Sequence, residues 1–227
     1  MQNKDENKSI RKFIVINNLL FVFTAVFPAA IFYYFLNDYK SDFILYVFVI
    51  PGFIYMTSLI LWNILKYKKY NFTDNQIIKY NLPSIFLFTI FLQIIFGAFV
   101  SGMDAGKIYN TWPLMGNSYF PDDNIFFNLL NVNALSDPSL VQFIHRNLAY
   151  IILVIFIIIS FFVISEKLSK FYNILIMLGV TLLIQIILGI LTILSGAQML
   201  LASMHQISSI VLISFSIYLL FLNKKTN

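Results

Sequence analysis

The sequence predicts an all-α integral membrane protein with six transmembrane helices, the last four of which form a four-helix bundle. Of the 227 residues, 59% are apolar or aromatic and 11% are charged, whereas a soluble domain has about half and about a quarter. The apolar residues fall into six runs that are long enough to cross about 30 Å of hydrocarbon as helices. The third and fifth runs repeat one another, so the last four helices are predicted to be two copies of one hairpin.

The six predicted spans follow one another along the chain. They cover residues 13–36, 43–65, 82–101, 140–165, 171–194 and 200–222. Asn17, Asn18 and Pro28 interrupt the first run, but it is too long for the apolar region of a signal peptide and no clear small-residue cleavage site follows it. We therefore expect a retained span. The chain divides into an N-terminal region, 1–81, with two degenerate helices, and a bundle, 82–227.

The basic residues predict the orientation of the spans. With the N-terminus inside, twelve of the fifteen lysines and arginines lie in inner segments, as the positive-inside rule requires. These residues are Lys4, Lys8, Arg11, Lys12, Lys66, Lys68, Lys69, Lys79, Lys167, Lys170, Lys224 and Lys225. Both termini are then expected on the cytoplasmic or matrix side of a bacterial or mitochondrial inner membrane. This distribution accounts for the net charge of +5 and leaves no basic patch for nucleic acid.

One outer connection, 103–139, is long for a plain loop and rich in aromatic and aliphatic residues. We expect Asp122 or Asp123 to cap a short helix over 125–130 that has one apolar face. Such a helix would lie on the membrane surface or fold over the mouth of a cavity, and the pattern favours neither placement.

The repeat places the only two histidines of the chain at equivalent positions. Gln93 and Gly97 in the third span correspond to Gln185 and Gly189 in the fifth, and each of these spans precedes one that carries a histidine near its outer end. Two parallel copies imply a pseudo-two-fold axis along the membrane normal. His145 and His205 are therefore expected at a similar depth, facing each other across the bundle.

Two facing imidazoles predict a haem held by two axial histidines. Helices that are diagonal in a bundle lie about 13 Å apart, which leaves space for a flat macrocycle between two rings. The chain has no cysteine, which excludes iron–sulfur and thiolate zinc sites, and two histidines without a third protein ligand make a poor zinc site. The alternative is structural: histidines and glutamines that hydrogen-bond between helices, and glycines that allow close packing.

Three further residues are candidates for the same site. The Arg146 guanidinium is placed to pair with a carboxylate such as a haem propionate, or else to extend to the outer surface. Asp104 lies where the third span leaves the membrane, where it either orients a ligand or faces water. Trp112 is either a site residue or an aromatic anchor at the membrane interface.

Three segments resemble motifs of the haem A synthases of the mitochondrial and alphaproteobacterial type. They are GAFVSGMDAGKIYNTWPLMG at 97–116, QFIHRNLAY at 142–150, and His205-Gln206 in the last span. The resemblance covers about residues 82–222. It implies the C-terminal half of an eight-span enzyme, a half that binds haem b through the histidines matching His145 and His205. The N-terminal half of that enzyme binds haem O and oxidises its methyl group to the formyl group of haem A.

The resemblance leaves two functional hypotheses. The substrate-side histidine pair and acidic residue of the family have no counterpart in the six predicted spans. In the first hypothesis, this chain is the haem b-binding half of a haem A synthase, and a partner chain or a second copy supplies the substrate half. In the second, it is a non-catalytic haem b protein that passes electrons or haem to a partner in oxidase assembly. No catalytic residue is predicted.

Overall fold

A computed structural model describes residues 76–223 together with Thr57, Ser58, Leu61, Trp62 and Leu65. The first predicted span, 13–36, and most of the second, 43–65, lie outside the described residues. The prediction of six spans is therefore tested for the last four only.

The described chain is helical, and its four long helices match the four predicted spans to within two residues at each end. They are α1 (Leu82–Gly102), α2 (Pro138–Ser165), α3 (Tyr172–Leu194) and α4 (Met199–Leu222). Each is long and apolar enough to cross a membrane. Large apolar side chains such as Phe161 (68% exposed) and Leu183 (58% exposed) face outwards from the helices, where only lipid can cover them at low cost. The chain is an integral membrane protein.

Local sequence signals define the start and end of α2. Pro138 occupies the first turn, where a missing amide hydrogen costs nothing. The Asp137 carboxylate accepts hydrogen bonds from the amides of Ser139 (2.9 Å) and Leu140 (3.1 Å) and so caps the helix. The last residue of the helix is Ser165. Glu166 forms the C-terminal cap, and Lys167 follows with a left-handed φ of 53°.

The helices pack in sequence-adjacent pairs, α1 against α2 and α3 against α4, and α1 also packs against α4. We call the end of the helices that carries the 103–137 connection the loop end. Most of the buried apolar side chains of the long helices form one cluster, whose α1 members are Phe86 and Ile90. Its other members on the long helices lie within 152–163, 174–182 and 212–222. This cluster therefore fills the half of the helices that is remote from the loop end.

Part of the predicted second span packs on this cluster. Leu65 belongs to it, and the Trp62 ring meets the Phe221 ring edge-on with centroids 6.0 Å apart. The loop-end half of the four helices contributes no member to the cluster, and that half contains both histidines.

The long connection contains three short 3-10 helices, Ala105–Lys107, Phe126–Leu130 and Val132–Ser136. The predicted aspartate cap is wrong, because Ile125 precedes the second of these helices and no side chain caps it. Asp122 instead accepts hydrogen bonds from the Asn117 amide and the Ser118 hydroxyl, and Asp123 from Ser139. Ile125 and Phe127 remain 64% and 77% exposed.

Candidate functional site

The two histidines lie at matching positions near the loop end. His145 is seven residues after the start of α2 at Pro138, and His205 is six residues after the start of α4 at Met199. At about 1.5 Å per residue, both lie about 9–11 Å along their helices.

Each histidine ring lies against a glycine of the preceding helix. A Cβ atom at Gly97 would lie 3.1 Å from Cε1 of His145, and one at Gly189 would lie 3.2 Å from Cε1 of His205. The distances from these Cβ positions to Nδ1 are also nearly equal, 3.7 Å for His145 and 3.6 Å for His205. Such close contact is available only without a side chain. The sequence repeat is thus accompanied by the same contact at both histidines.

The two glutamines of the repeat make different contacts. Gln93 Nε2 lies 3.2 Å from Nε2 of His145. Gln185 instead accepts a hydrogen bond from the Ser208 hydroxyl, one turn after His205. The position equivalent to Ser208 in α2 is Leu148, which has no hydroxyl to offer.

Several polar atoms at this end are buried without a partner. Within the described chain these include Nδ1 of both His145 and His205 and Oε1 of Gln93. A buried polar atom that forms no hydrogen bond costs free energy, so a functional explanation is required for a site with several of them. Among the described residues, no group of three or more His, Asp or Glu side chains could hold a bare metal ion.

Arg146 holds the outer connection onto α2. The residue is only 7% exposed, which excludes the predicted alternative that it extends to the surface. Its Nη1 donates to the carbonyls of Thr111 (2.9 Å) and Leu114 (3.3 Å), and its Nη2 donates to the Tyr109 carbonyl (2.9 Å). The segment 109–114 therefore wraps around the guanidinium directly beside His145.

Gln142 and Ser139 complete this attachment, and sequence reasoning gave neither of them a role. Gln142 Nε2 donates to the Tyr109 carbonyl (3.2 Å), and the Tyr109 hydroxyl donates to Asp123 (2.9 Å). The Ser139 hydroxyl, in the first turn of α2, also donates to Asp123 (2.6 Å). The spacing of Gln142 and Arg146, one helical turn apart, is the signal that was present in the sequence.

The ionisation of the loop matches these hydrogen bonds. Burial alone would raise the pKa of Asp123. The hydrogen bonds that Asp123 accepts from Ser139 and Tyr109 lower the pKa by more than burial raises it, so the net pKa is below the ordinary value. Burial and the hydrogen bond to Asp123 raise the pKa of Tyr109. Asp123 is therefore an acceptor and Tyr109 a donor at neutral pH.

Two predicted site residues do not join the histidines. The Asp104 side chain is 62% exposed and forms an ion pair with Lys107 (2.8 Å), so it faces water. Trp112 is 43% exposed on the loop. The structure thus brings together the histidines, the glycines and Gln93, and places Gln185 beside Ser208.

Comparison with known proteins gives the same assignment as the motifs. The family model of the cytochrome oxidase assembly proteins (COX15-CtaA) matches residues 2–217. The haem A synthase of Pelagibacter ubique is 40% identical over 178 residues, which is 77% of this chain and 50% of that protein. The chain belongs to the haem A synthase family.

Other haem A synthases are similar over a shorter region. That of Rickettsia felis is 39% identical over 63% of this chain and 43% of its own length, and that of Wolbachia pipientis wMel is 41% identical over 63% and 39%. The chain spans about half the length of the curated haem A synthases it matches. No solved structure gives a significant match.

Replacing Arg146 by lysine is expected to release segment 109–114. One ammonium group cannot reproduce three hydrogen bonds from a planar guanidinium, and each hydrogen bond to a charged group contributes about 1.5–3 kcal/mol. We expect chymotrypsin to cleave after Tyr109 at least about tenfold faster in the Arg146→Lys protein, with the site identified by mass spectrometry.

The matched control is Lys107→Gln, which removes the exposed ion pair between Lys107 and Asp104 in the same outer connection. Exposed pairs contribute about 0–1 kcal/mol, so cleavage should change little. Equal cleavage rates in Arg146→Lys and the unaltered protein would show that Arg146 does not hold the segment.

Proposed function

We propose that residues 82–222 form a pseudo-two-fold four-helix bundle that binds haem b between His145 and His205, as the haem b half of a haem A synthase. The observation that carries this proposal is the pair of histidines, each lying against a glycine with nearly equal distances. Both termini are proposed to lie on the cytoplasmic or matrix side, with the loop end outside.

The residues present fit a haem better than a bare ion. A six-coordinate low-spin haem takes two axial ligands from the protein, and the site offers two imidazoles. The buried apolar cluster does not extend into the loop-end half, where a flat apolar macrocycle would lie between the rings. Buried nitrogen atoms without partners are also expected where a ligand belongs.

Each residue has a separate role in this proposal. In this proposal His145 and His205 bind the iron, and Gly97 and Gly189 let each ring approach the adjacent helix backbone closely. Gln93 and Gln185 precede these glycines by one helical turn, and Gln93 contacts the His145 ring. Arg146 keeps the outer connection closed over α2, and its buried charge would attract a propionate at the same end. Asp104 and Trp112 remain predictions as haem contacts.

A bound haem b would supply one-electron transfer. Converting a methyl group to a formyl group oxidises the carbon and adds an oxygen atom, so the reaction needs electron exchange with an external redox partner, which a bound haem b would relay. The substrate half needs its own histidine pair, and both histidines of this chain lie in the bundle. We propose that another polypeptide, either a partner or a second copy, contributes to the haem O site.

The second candidate is a haem b protein that transfers electrons or haem without hydroxylation. It does not require the substrate-side histidine pair and acidic residue of the family, which have no counterpart in the six predicted spans. Both candidates share the haem site and differ only in whether haem A is formed.

Alanine at either glycine is expected to weaken haem binding. Forcing a methyl group against the imidazole costs about 1–3 kcal/mol, or roughly five- to 150-fold in affinity. Haem content per chain, measured by the pyridine haemochrome method after purification, should fall in Gly97→Ala and in Gly189→Ala. Gly179→Ala is the matched control, since its Cβ would meet Phe156 at 3.1 Å, away from the histidines. Equal haem content in all three variants would contradict the assignment.

The synthase activity is tested in cells that make haem O but not haem A. We would express the chain alone and together with the part of the Pelagibacter ubique relative that the match leaves uncovered. Haem A in the extracted haems, lost on His145→Ala, supports the synthase. Failure to form haem A in both cases, with a b-type spectrum present, favours the electron-transfer protein.

A further inference from the structure

The outer connection carries a group of large apolar side chains that the described part of the chain leaves uncovered. Ile125, Phe126, Phe127 and Leu130 are 64%, 65%, 77% and 81% exposed. We call residues 125–130 the apolar segment. No charged residue lies within 124–136. Clustered, exposed apolar side chains mark a contact with lipid or with another protein.

Polar side chains attach the apolar segment to the start of α2. Asn128 Nδ2 donates to Oδ1 of Asn124 (3.1 Å), and Asn124 Nδ2 donates to Oδ2 of Asp137 (3.1 Å). Asp137 is the residue that caps α2. The amide side chains of the segment are therefore directed towards the helix, whereas its large apolar side chains are not covered by it.

Aromatic contacts give the depth of the segment in the membrane. The Phe126 ring lies 5.8 Å from the Phe120 ring, which lies 5.0 Å from the Phe143 ring, all between centroids. Phe143 is five residues past the start of α2 at Pro138, or about 7–8 Å along the helix.

The length of α2 relates this position to the bilayer. With 28 residues, α2 is about 42 Å long, close to the thickness of about 40–45 Å that a bilayer has with its head groups included. The first two turns of α2 therefore lie at the level of the lipid head groups. The apolar segment packs beside these turns and so lies at the same level.

We propose that the apolar segment inserts into the lipid at the loop-end surface of the membrane and anchors the outer connection there. Its amide side chains face α2 and its apolar side chains face the boundary between head groups and acyl chains. Side chains that closed a cavity of this chain would be covered by it, and these four are 64–81% exposed. The anchor is independent of the proposed function, because no contact with the histidines enters into it.

The charge of the connection indicates which lipid the segment fits. Residues 103–137 contain four aspartates and one lysine, so electrostatic attraction to anionic head groups is not available to it. Insertion then depends on the burial of apolar surface alone. We therefore expect the segment to insert into a membrane of neutral lipid.

Tryptophan fluorescence of the purified chain in phosphatidylcholine vesicles tests the proposal. Trp62→Phe and Trp112→Phe remove the two native tryptophans. In that background, Phe127→Trp reports on the apolar segment. Asn117→Trp is the matched control, since Asn117 is an exposed polar residue of the same connection, and its backbone amide can still donate to Asp122.

Bromine atoms on the acyl chains quench tryptophan on contact, whereas iodide quenches it from the water on both sides of the membrane. An interfacial segment lies about 5–10 Å into the boundary between head groups and acyl chains, so lipids brominated near the head group should quench Phe127→Trp at least about twofold more than Asn117→Trp. Iodide should quench the two proteins in the opposite order.

Two results would overturn the proposal. Strong quenching of Phe127→Trp by iodide with little quenching by bromine would place the segment in water. Protection from both quenchers would mean that protein covers the segment, either a second copy or another part of this chain. If Phe127→Trp does not fold, as judged by circular dichroism, Leu130→Trp replaces it under the same criteria. Haem content does not affect these readings, so failure of the proposed function leaves this test intact.

Discussion

The placement of two imidazoles inside apolar helices is the constraint on which the rest of the loop end depends. A polar ring in such helices needs a partner, and side chains that could provide one are scarce. The helix backbone approaches each ring at Gly97 and Gly189, where a Cβ would come within 3.1 and 3.2 Å of the ring. Nδ1 of each ring nevertheless remains buried without a partner. The main buried apolar cluster lies in the other half of the helices, where Phe86, Ile159 and Leu178 are fully buried.

The two copies of the hairpin keep the ring contact and differ in what surrounds it. In the first copy the outer connection is long, and the Arg146 guanidinium attaches it to α2 through three backbone carbonyls. In the second copy α3 and α4 are joined by a few residues, and Gln206 occupies the place of Arg146. The sequence repeat therefore does not extend to the outer connections.

Much of the fold was predictable, because helix length and apolar runs are local properties. The bounds of α1 to α4 follow from Pro83, Pro138 and the polar residues that end each run. The depth of the histidines followed from the repeat, since equivalent residues of repeated hairpins lie at equivalent depth. The contact of each ring with a glycine was only suggested by the spacing, because spacing gives the helix face and not the distance to a neighbouring helix.

The path of the outer connection was not predictable from its residues. Arg146 has no carboxylate partner among its hydrogen bonds, and which carbonyls it meets depends on how segment 109–114 folds back. Asp122 and Asp123 looked like helix caps because they precede an apolar segment, but loop hydroxyls and amides compete for the same carboxylates. The hydrogen bond that Gln185 accepts from Ser208 has no counterpart at Gln93, because Leu148 occupies the equivalent position, a difference that is visible in the sequence only once the helices are aligned.

The most direct test of the account is spectroscopy of the purified chain after haem-replete expression. The account predicts one haem b per chain with a six-coordinate low-spin spectrum, and a ferric electron paramagnetic resonance signal typical of two imidazole ligands. Both features should be lost in His145→Ala and in His205→Ala. A colourless protein, or a low-spin spectrum that persists in either alanine variant, would contradict the claim that these two histidines hold a haem between them.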